Sequence, residues 1–394
     1  MFNIAFVGHI DHGKSTLIGR LLYDTNSLPE GKLEEIKRTC EELGRKLEFA
    51  YICDALEEER KNQMTIETAQ TFFRSKREYA IIDAPGHKEF IKNMVTGVSQ
   101  ADAAVLIIDV KEGVKEQTKR HAYLLKLLGI SDVIVVVNKM DLVAYKEENF
   151  EKVKKEILAY LEKIGISPSY IIPISAYEGD NVVKRSERMS WYKGLTFIEA
   201  LDSLKERKRF FDLRLPIQDV YLEDGERIYV GNVLSGEIKR GEIVKCYPSK
   251  EEVKIEKILD GEKEVEKAGA PKAIGLIANK KLERGFVLAK NSEPIITKEI
   301  SPLVFCLIES IEEGKEYILR CSTQEVKCKV EKILEKIDVE TLERKEAKEL
   351  KETEIGKLKI CLEKPVVIEK FNKLKELGRF VILKKGKIIG GGII

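Results

Sequence analysis

Residues Gly8 to Ser15, GHIDHGKS, fit the pattern G-x-x-x-x-G-K-[ST], and the apolar run NIAFV leads straight into them. In this pattern backbone N–H groups wrap phosphate oxygens while the lysine neutralises charge on the outer phosphates. The following STLIGRLLYD reads as a helix whose N-terminus faces the anion. The spacing therefore predicts that the amides of Asp11, His12, Gly13, Lys14 and Ser15, with Thr16 beside them, cradle a polyphosphate. Lys14 would face its β and γ groups, and Ser15 Oγ would ligate Mg2+.

Three further stretches give this loop a context. In IIDAPGH, Asp83 ends an apolar run and Gly86 follows three residues later. Beside a phosphate loop, that acid can anchor Mg2+ and the glycine N–H can sense a third phosphate; without one, the same letters describe an ordinary Pro-Gly turn. In VVVNKMD, again at a strand end, Asn138, Lys139 and Asp141 form N-K-x-D. The Asp141 carboxylate offers two acceptors that match the N1–H and N2–H2 donors of guanine, and adenine presents no such pair, so the expected ligand is GTP or GDP with Mg2+. Ser175 and Ala176, in PISAYEGD, complete the base pocket through backbone contacts to guanine O6. Between the phosphate loop and Asp83, EERKNQMTIETAQTFF carries Thr65, whose hydroxyl and carbonyl can close over Mg2+ and the γ-phosphate; it is also a β-former opening a strand. His87 follows Gly86 directly, placed to hydrogen-bond a water or, if charged, to stabilise developing negative charge, and it is the expected catalytic residue. Three of the four histidines, His9, His12 and His87, fall inside these motifs. The side chains of His9 and His12 read as loop packing, His121 as packing or capping, and Trp191 as aromatic packing beneath a linker.

Such groups need strands to end them and helices to space them. From the N-terminus to about residue 210, apolar runs such as EYAIID, AAVLIID and DVIVVVN alternate with helical stretches, the pattern of parallel strands covered on both faces. This predicts a doubly wound, mostly parallel α/β domain over residues 1–210, with ligands at the carboxyl ends of its strands. Beyond it, short β-rich segments with glycine turns predict two small β barrels, 211–297 and 298–394. The 69 basic and 67 acidic residues are interleaved, so no duplex-binding stripe is advertised, and a charged share of 35% is compatible with a thermophilic source. The seven cysteines contain no C-x-x-C, which argues against a disulfide framework or thiolate-bound zinc. No basic leader precedes the first strand and no apolar run approaches ~18 residues, so a soluble, cytoplasmic protein without membrane contact is expected.

With GHIDHGKST, MTIET, DAPGHKEFIKNMVTGVSQAD, NKMD and PISAYEGDNV in this order, the chain resembles the elongation-factor-class translational GTPases along its whole length. The resemblance implies an elongation-factor-Tu-like architecture of a GTPase domain followed by two β barrels. Within that class, the segments DNVVKRSERMSWYKGLTFIEALDSL and GKEYILRCSTQEVKCKVEKILEKIDVETLERKEAKELKETEIGKLKICLEKPVVIEKF look like the GTPase subunit of heterodimeric sulfate adenylyltransferase. That likeness implies GTP hydrolysis energising a small catalytic ATP sulfurylase partner, which joins ATP and sulfate into adenosine 5′-phosphosulfate. No second glycine-rich phosphate loop is present, and the chain ends at Ile394 without room for a kinase domain, so the adenylyl transfer would fall to the partner. The alternative is a factor of the Tu and 1-alpha kind that carries aminoacyl-tRNA to the ribosome. His9 and His12 stand where the sulfate subunits usually carry serine and an acid, which makes this a phosphate loop of the translation type. Gln63, Met64 and Glu67 replace the wider family's Gly, Ile and Asp, and Met64 can still serve with Ile10 as an apolar gate before His87.

Overall fold

A computed structural model describes residues 1–28, 71–83, 101–205, 212–223 and 225–394, with residues 31, 34, 38, 49 and 51. It divides into two compact units, Met1–Arg207 and Lys208–Ile394.

In the first unit six strands, β1 (Phe2–Gly8), β2 (Thr71–Arg74), β3 (Glu78–Asp83), β4 (Ala103–Asp109), β5 (Val133–Asn138) and β6 (Tyr170–Pro173), form one sheet in the order β2-β3-β1-β4-β5-β6. Only β2, at an edge, runs antiparallel to its neighbour. The chain leaves β1 toward β3 on one side and returns to β4 on the other, so the order reverses at β1. In open α/β sheets that reversal opens a crevice beyond the carboxyl ends of the strands. The register delivers particular residues to it: Phe6 lies beside Asp83, Gly8 beside Ile107, and Asp109 beside Asn138.

Helices α1 (Lys14–Asp24), α2 (Glu116–Leu127), α3 (Glu147–Lys163) and α4 (Phe197–Ser203) belong to this unit. Because helices cover both faces, β4 and β5 are buried at every position. Their side chains join Phe2, Ile4, Phe6, Leu17, Leu21 and Phe197 in a core of aliphatic and aromatic groups. Helix α4 opens with a reciprocal cap in which Thr196 Oγ1 accepts from Glu199 N and the Glu199 carboxylate accepts from Thr196 N.

The second unit holds two closed six-strand rings. In the first, Arg214–Glu223, Glu226–Val233, Lys272–Ala278, Glu251–Asp260, Ile243–Tyr247 and Val287–Ala289 pair in sequence, and the last returns to the first. In the second, Leu303–Cys306, Ile355–Ile368, Gln324–Ile337, Glu316–Cys321, Arg379–Lys384 and Lys387–Ile393 close likewise. Closure removes the exposed edges that short strands would otherwise offer to other chains. Tyr247, Val287 and Ala289 of one ring pack with Val367, Leu374 and Leu377 near the other. There the buried guanidinium of Arg214 donates from Nε and Nη2 to Glu369 Oε1, at 2.8 and 2.6 Å. No described helix is long and apolar enough to cross a membrane.

Candidate functional site

The phosphate loop is shaped by backbone conformation before any side chain acts. Asp11 and Gly13 adopt φ 64° and 89°, and this turn lets the chain leave β1 and enter α1 at Lys14. Gly13 has a second reason to be glycine, since a Cβ there would stand 2.3 Å from Asn138 Nδ2. Gly13 is also the N-cap and has no side chain to cover the first-turn amides, so the N-terminus of α1 presents N–H groups and the positive end of its dipole to an anion.

Asn138 ties this loop to the base side of the site. Its Nδ2 donates to the His12 carbonyl at 2.9 Å, and its Oδ1 accepts from Ala176 N at 2.9 Å. The residue is 1% exposed, so both contacts are made out of water, where leaving either group unmet is costly. Ser175 Oγ donates to Asp141 Oδ1 at 2.6 Å and accepts from Glu178 N at 3.1 Å. One Asp141 oxygen is thereby oriented while the carboxylate retains acceptor capacity.

A cavity of about 330 Å3 lies between these loops, lined by Gly13, Thr16, Asn138, Lys139, Asp141, Leu142, Ala176 and Tyr177. Leu142 and Tyr177, both about half exposed, supply apolar walls, as a planar base requires. The donor set fits a guanine nucleotide: helix amides for phosphates, Lys14 beside them, an oriented carboxylate at the base end. The amides of Ser175 and Ala176, which the sequence aims at guanine O6, are directed here at Asp180 O and Asn138 Oδ1. Their part in this arrangement is to position Asp141 and Asn138.

The structure brings Asp11, His12, Gly13, Lys14, Ser15 and Thr16 together with Asn138, Lys139, Asp141, Ser175 and Ala176. Ser15, in the first turn of α1, is the described side chain able to meet Mg2+. The backbone of Asp83 ends β3 beside Phe6; its side chain, together with Thr65, Gly86 and His87, lies outside the described residues. His12 is fully buried, its Nδ1 3.3 Å from Ile107 O and its Nε2 3.6 Å from Glu112 Oε2. Desolvation lowers its pKa against the opposing pull of Ile107 O and Glu112, so the ring packs under the loop and can serve phosphate only through its backbone. His9 contacts Gln117 Oε1 and lies edge-on to His12. His121, in the middle of α2, packs; burial, with Lys14 and His9 nearby, pushes its pKa down to about 3. Trp191 donates to Tyr145 O and packs on Phe150 of α3.

Sequence reasoning missed Tyr177, Leu142 and Asp109. The signal for Asp109 was present, because it ends an otherwise wholly apolar strand just as Asn138 does.

Comparison with known proteins decides the family. Residues 1–207 match the model of the elongation factor Tu GTP-binding domain, and residues 303–394 match the GTP-eEF1A C-terminal domain-like family. The chain belongs to the translational GTPases of the elongation factor Tu and 1-alpha type. It therefore binds GTP and GDP with Mg2+, and it has the fold expected of that class. Its sequence is 40% identical to elongation factor 1-alpha of Methanopyrus kandleri, over 99% of this chain and 96% of that protein. The elongation factors 1-alpha of Pyrococcus furiosus and Archaeoglobus fulgidus are each 38% identical, over 100% of this chain and 96% of theirs. The crystal structure of sup35 complexed with GDP aligns over 100% of this chain and 93% of that chain at 26% identity, with a TM-score of 0.45.

These likenesses overturn the sulfate adenylyltransferase reading and, with it, the ATP sulfurylase partner. The segment that favoured that reading spans the strands Glu316–Cys321, Gln324–Ile337 and Ile355–Ile368 of a closed ring. Strand sequences there answer to inside-outside alternation and ring closure, constraints that relatives of different function share.

Proposed function

We propose that this chain is a GTP-timed carrier that delivers aminoacyl-tRNA to the ribosome. The observation that supports it is the identity of 38–40% to elongation factors 1-alpha along essentially the full length of both partners, barrels included. In this reading the amides from Asp11 to Ser15, with Thr16, hold the phosphates, Lys14 faces the β and γ groups, and Gly86 senses the γ-phosphate. Asn138, Lys139 and Asp141, braced by Ser175 and Ala176, select guanine. Bound Mg2+ would neutralise phosphate charge, and Ser15, Thr65 and Asp83 are the residues that would hold it. His87 positions the attacking water. Residues 1–210 act as the nucleotide-binding domain, 211–297 and 298–394 as the barrels that carry the partner, all in the cytoplasm.

The test is binding of aminoacylated and deacylated tRNA to the chain loaded with a non-hydrolysable GTP analogue or with GDP, across a salt series. The expected result is binding that needs both the GTP state and the aminoacyl group, weakening steeply with salt as phosphate contacts release counterions. Equal affinity in both nucleotide states, or for both tRNAs, would remove the carrier role and leave only a guanine-nucleotide switch.

A further inference from the structure

Asp109 closes β4 with a side chain only 4% exposed, a position where a carboxylate is tolerated only with partners. It has three. Oδ2 lies 2.8 Å from Lys139 Nζ, and Oδ1 accepts from Lys111 N at 2.7 Å and from Glu112 N at 3.4 Å. Burial works to raise its pKa, but the Lys139 ammonium and the two amides outweigh burial and hold the group below the usual carboxylate range.

Lys139 is itself unusually placed. It adopts φ 66°, a conformation that side chains other than glycine and asparagine visit rarely, and its Cε lies 3.9 Å from where a Cβ of Gly13 would stand. The alkyl chain thus runs beside the phosphate loop, along one wall of the base cavity, and ends on Asp109. The neighbouring backbone confirms the join: Val110 N donates to Asn138 O at 3.0 Å, and Gly113 N to Asp109 O at 2.9 Å. The turn that results carries Glu112 to His12 Nε2 at 3.6 Å.

We propose that Asp109 is a positioning residue for the nucleotide base, stretching Lys139 across the cavity floor so that its methylenes face the ring and its ammonium is held away from the phosphates. The inference rests on the guanine-nucleotide reading of the cavity. A lysine on an open surface keeps many rotamers and must give them up when a ligand arrives. Here that freedom is surrendered on folding, so the contact to the base costs less at binding. The ion pair belongs to the base end of the site and therefore serves GDP and GTP alike.

Asp109→Asn in the full chain tests this, because the amide oxygen still accepts from Lys111 N while the charge opposite Lys139 is gone. With a fluorescent GDP analogue, release should quicken roughly tenfold, the scale of a charge-assisted hydrogen bond, for GDP and GTP equally. Competition by Mg2+-pyrophosphate, which has no base, should be unchanged. Lys139→Met should add little in the Asp109→Asn background, a non-additivity that a general loosening of the fold would not produce. Release at the wild-type rate, additive effects, or an equal change toward pyrophosphate would each overturn the proposal. A wild-type chain that binds no guanine nucleotide would instead overturn the reading beneath it. Should Asp109→Asn fail to fold, acylation of the wild-type protein read by mass spectrometry decides: Lys139 is expected among the slowest lysines, and modification as fast as surface lysines would refute the pinning.

Discussion

The parallel sheet of the first unit and the rings of the second use burial in opposite ways. Strands β4 and β5 are buried at every residue and become polar only at their last positions, Asp109 and Asn138, so chemistry is concentrated at one edge of the sheet. The ring strand Gln324–Ile337 alternates buried and exposed residues for most of its length, as Glu251–Asp260 does in the other ring. Outward charges pair across the ring surfaces, Arg320 with Glu325 of the adjacent strand at 2.7 Å and Lys257 with Glu226 two strands away at 3.1 Å. A sheet covered on both faces can place a polar group only where the covering stops, whereas a ring covered on one face spreads polar groups over its whole outer surface. One architecture makes a site, the other a broad surface.

The second unit has one strong exception, the buried Arg214–Glu369 pair, and breaking it should produce the largest effect. Glu369→Ala removes the carboxylate that two guanidinium N–H groups meet where both side chains are almost inaccessible, and should cost about 3–5 kcal/mol. Chemical unfolding of the full chain would show the loss in the barrel transition, with GDP affinity retained. A loss below about 1 kcal/mol would mean that water reaches Arg214 once its partner is gone.

The next effect belongs to the sheet edge. Asp141→Asn exchanges an acceptor for a donor opposite guanine N1–H and N2–H2, and also loses the charge that Ser175 Oγ meets at 2.6 Å. GTP affinity should fall by roughly ten- to a hundredfold, with xanthosine triphosphate gaining in its place. Measured by competition against a fluorescent nucleotide, unchanged preference would show that the base does not lie against Asp141.

These contrasts explain what could be read from the residues alone. The sheet's motifs were legible because each is a polar residue at the end of an apolar run, and the runs themselves announce parallel strands. The rings were legible as short alternating strands between glycine turns. Arg214–Glu369 was not, since 155 residues separate the partners and nothing local to either predicts the other. Nor was the purpose of the strands in the second ring, whose pattern reflects ring closure more than any partner. The Asp109–Lys139 pair sat between: its strand-end position was visible, but its partner follows from the register that sets β4 beside β5.

A smaller effect separates the two regions by pH. All four histidines precede residue 122, so the second unit has none. His12 and His121 are held neutral by burial, their pKa values lowered from the ordinary 6.5, that of His121 to about 3. The unfolded chain therefore takes up protons that the fold resists. Stability of the first unit is unaffected above about pH 6.5 and declines as pH falls below it toward the folded values. The depressed groups of the rings are carboxylates, among them Glu237, Glu309 and Glu331, held down chiefly by hydrogen bonds from Lys267, Lys384 and Lys359. Their contribution is present above the ordinary 4.5 and is lost only as pH drops below it. The single tryptophan, Trp191, lies in the first unit and reports on it selectively. Between pH 6.5 and 5, the midpoint of tryptophan-detected unfolding should fall while the tryptophan-silent transition in far-ultraviolet circular dichroism holds. Parallel movement of the two signals would mean that the histidines are not buried as described, or that the units unfold as one.

The smallest effect is expected at the ring surface itself. Lys257 and Glu226 meet at 3.1 Å, yet both side chains stand well exposed, and long flexible groups gain little from pairing in water. Lys257→Gln should leave the barrel transition within experimental error at moderate salt, because water replaces the lost contact and screening had already weakened it. A clear destabilisation that disappears on adding salt would show these pairs acting together as a network. The rings would then hold themselves together by charge on the outside as the sheet does by apolar burial within, and the interleaved lysines and glutamates would be structural as well as solvating.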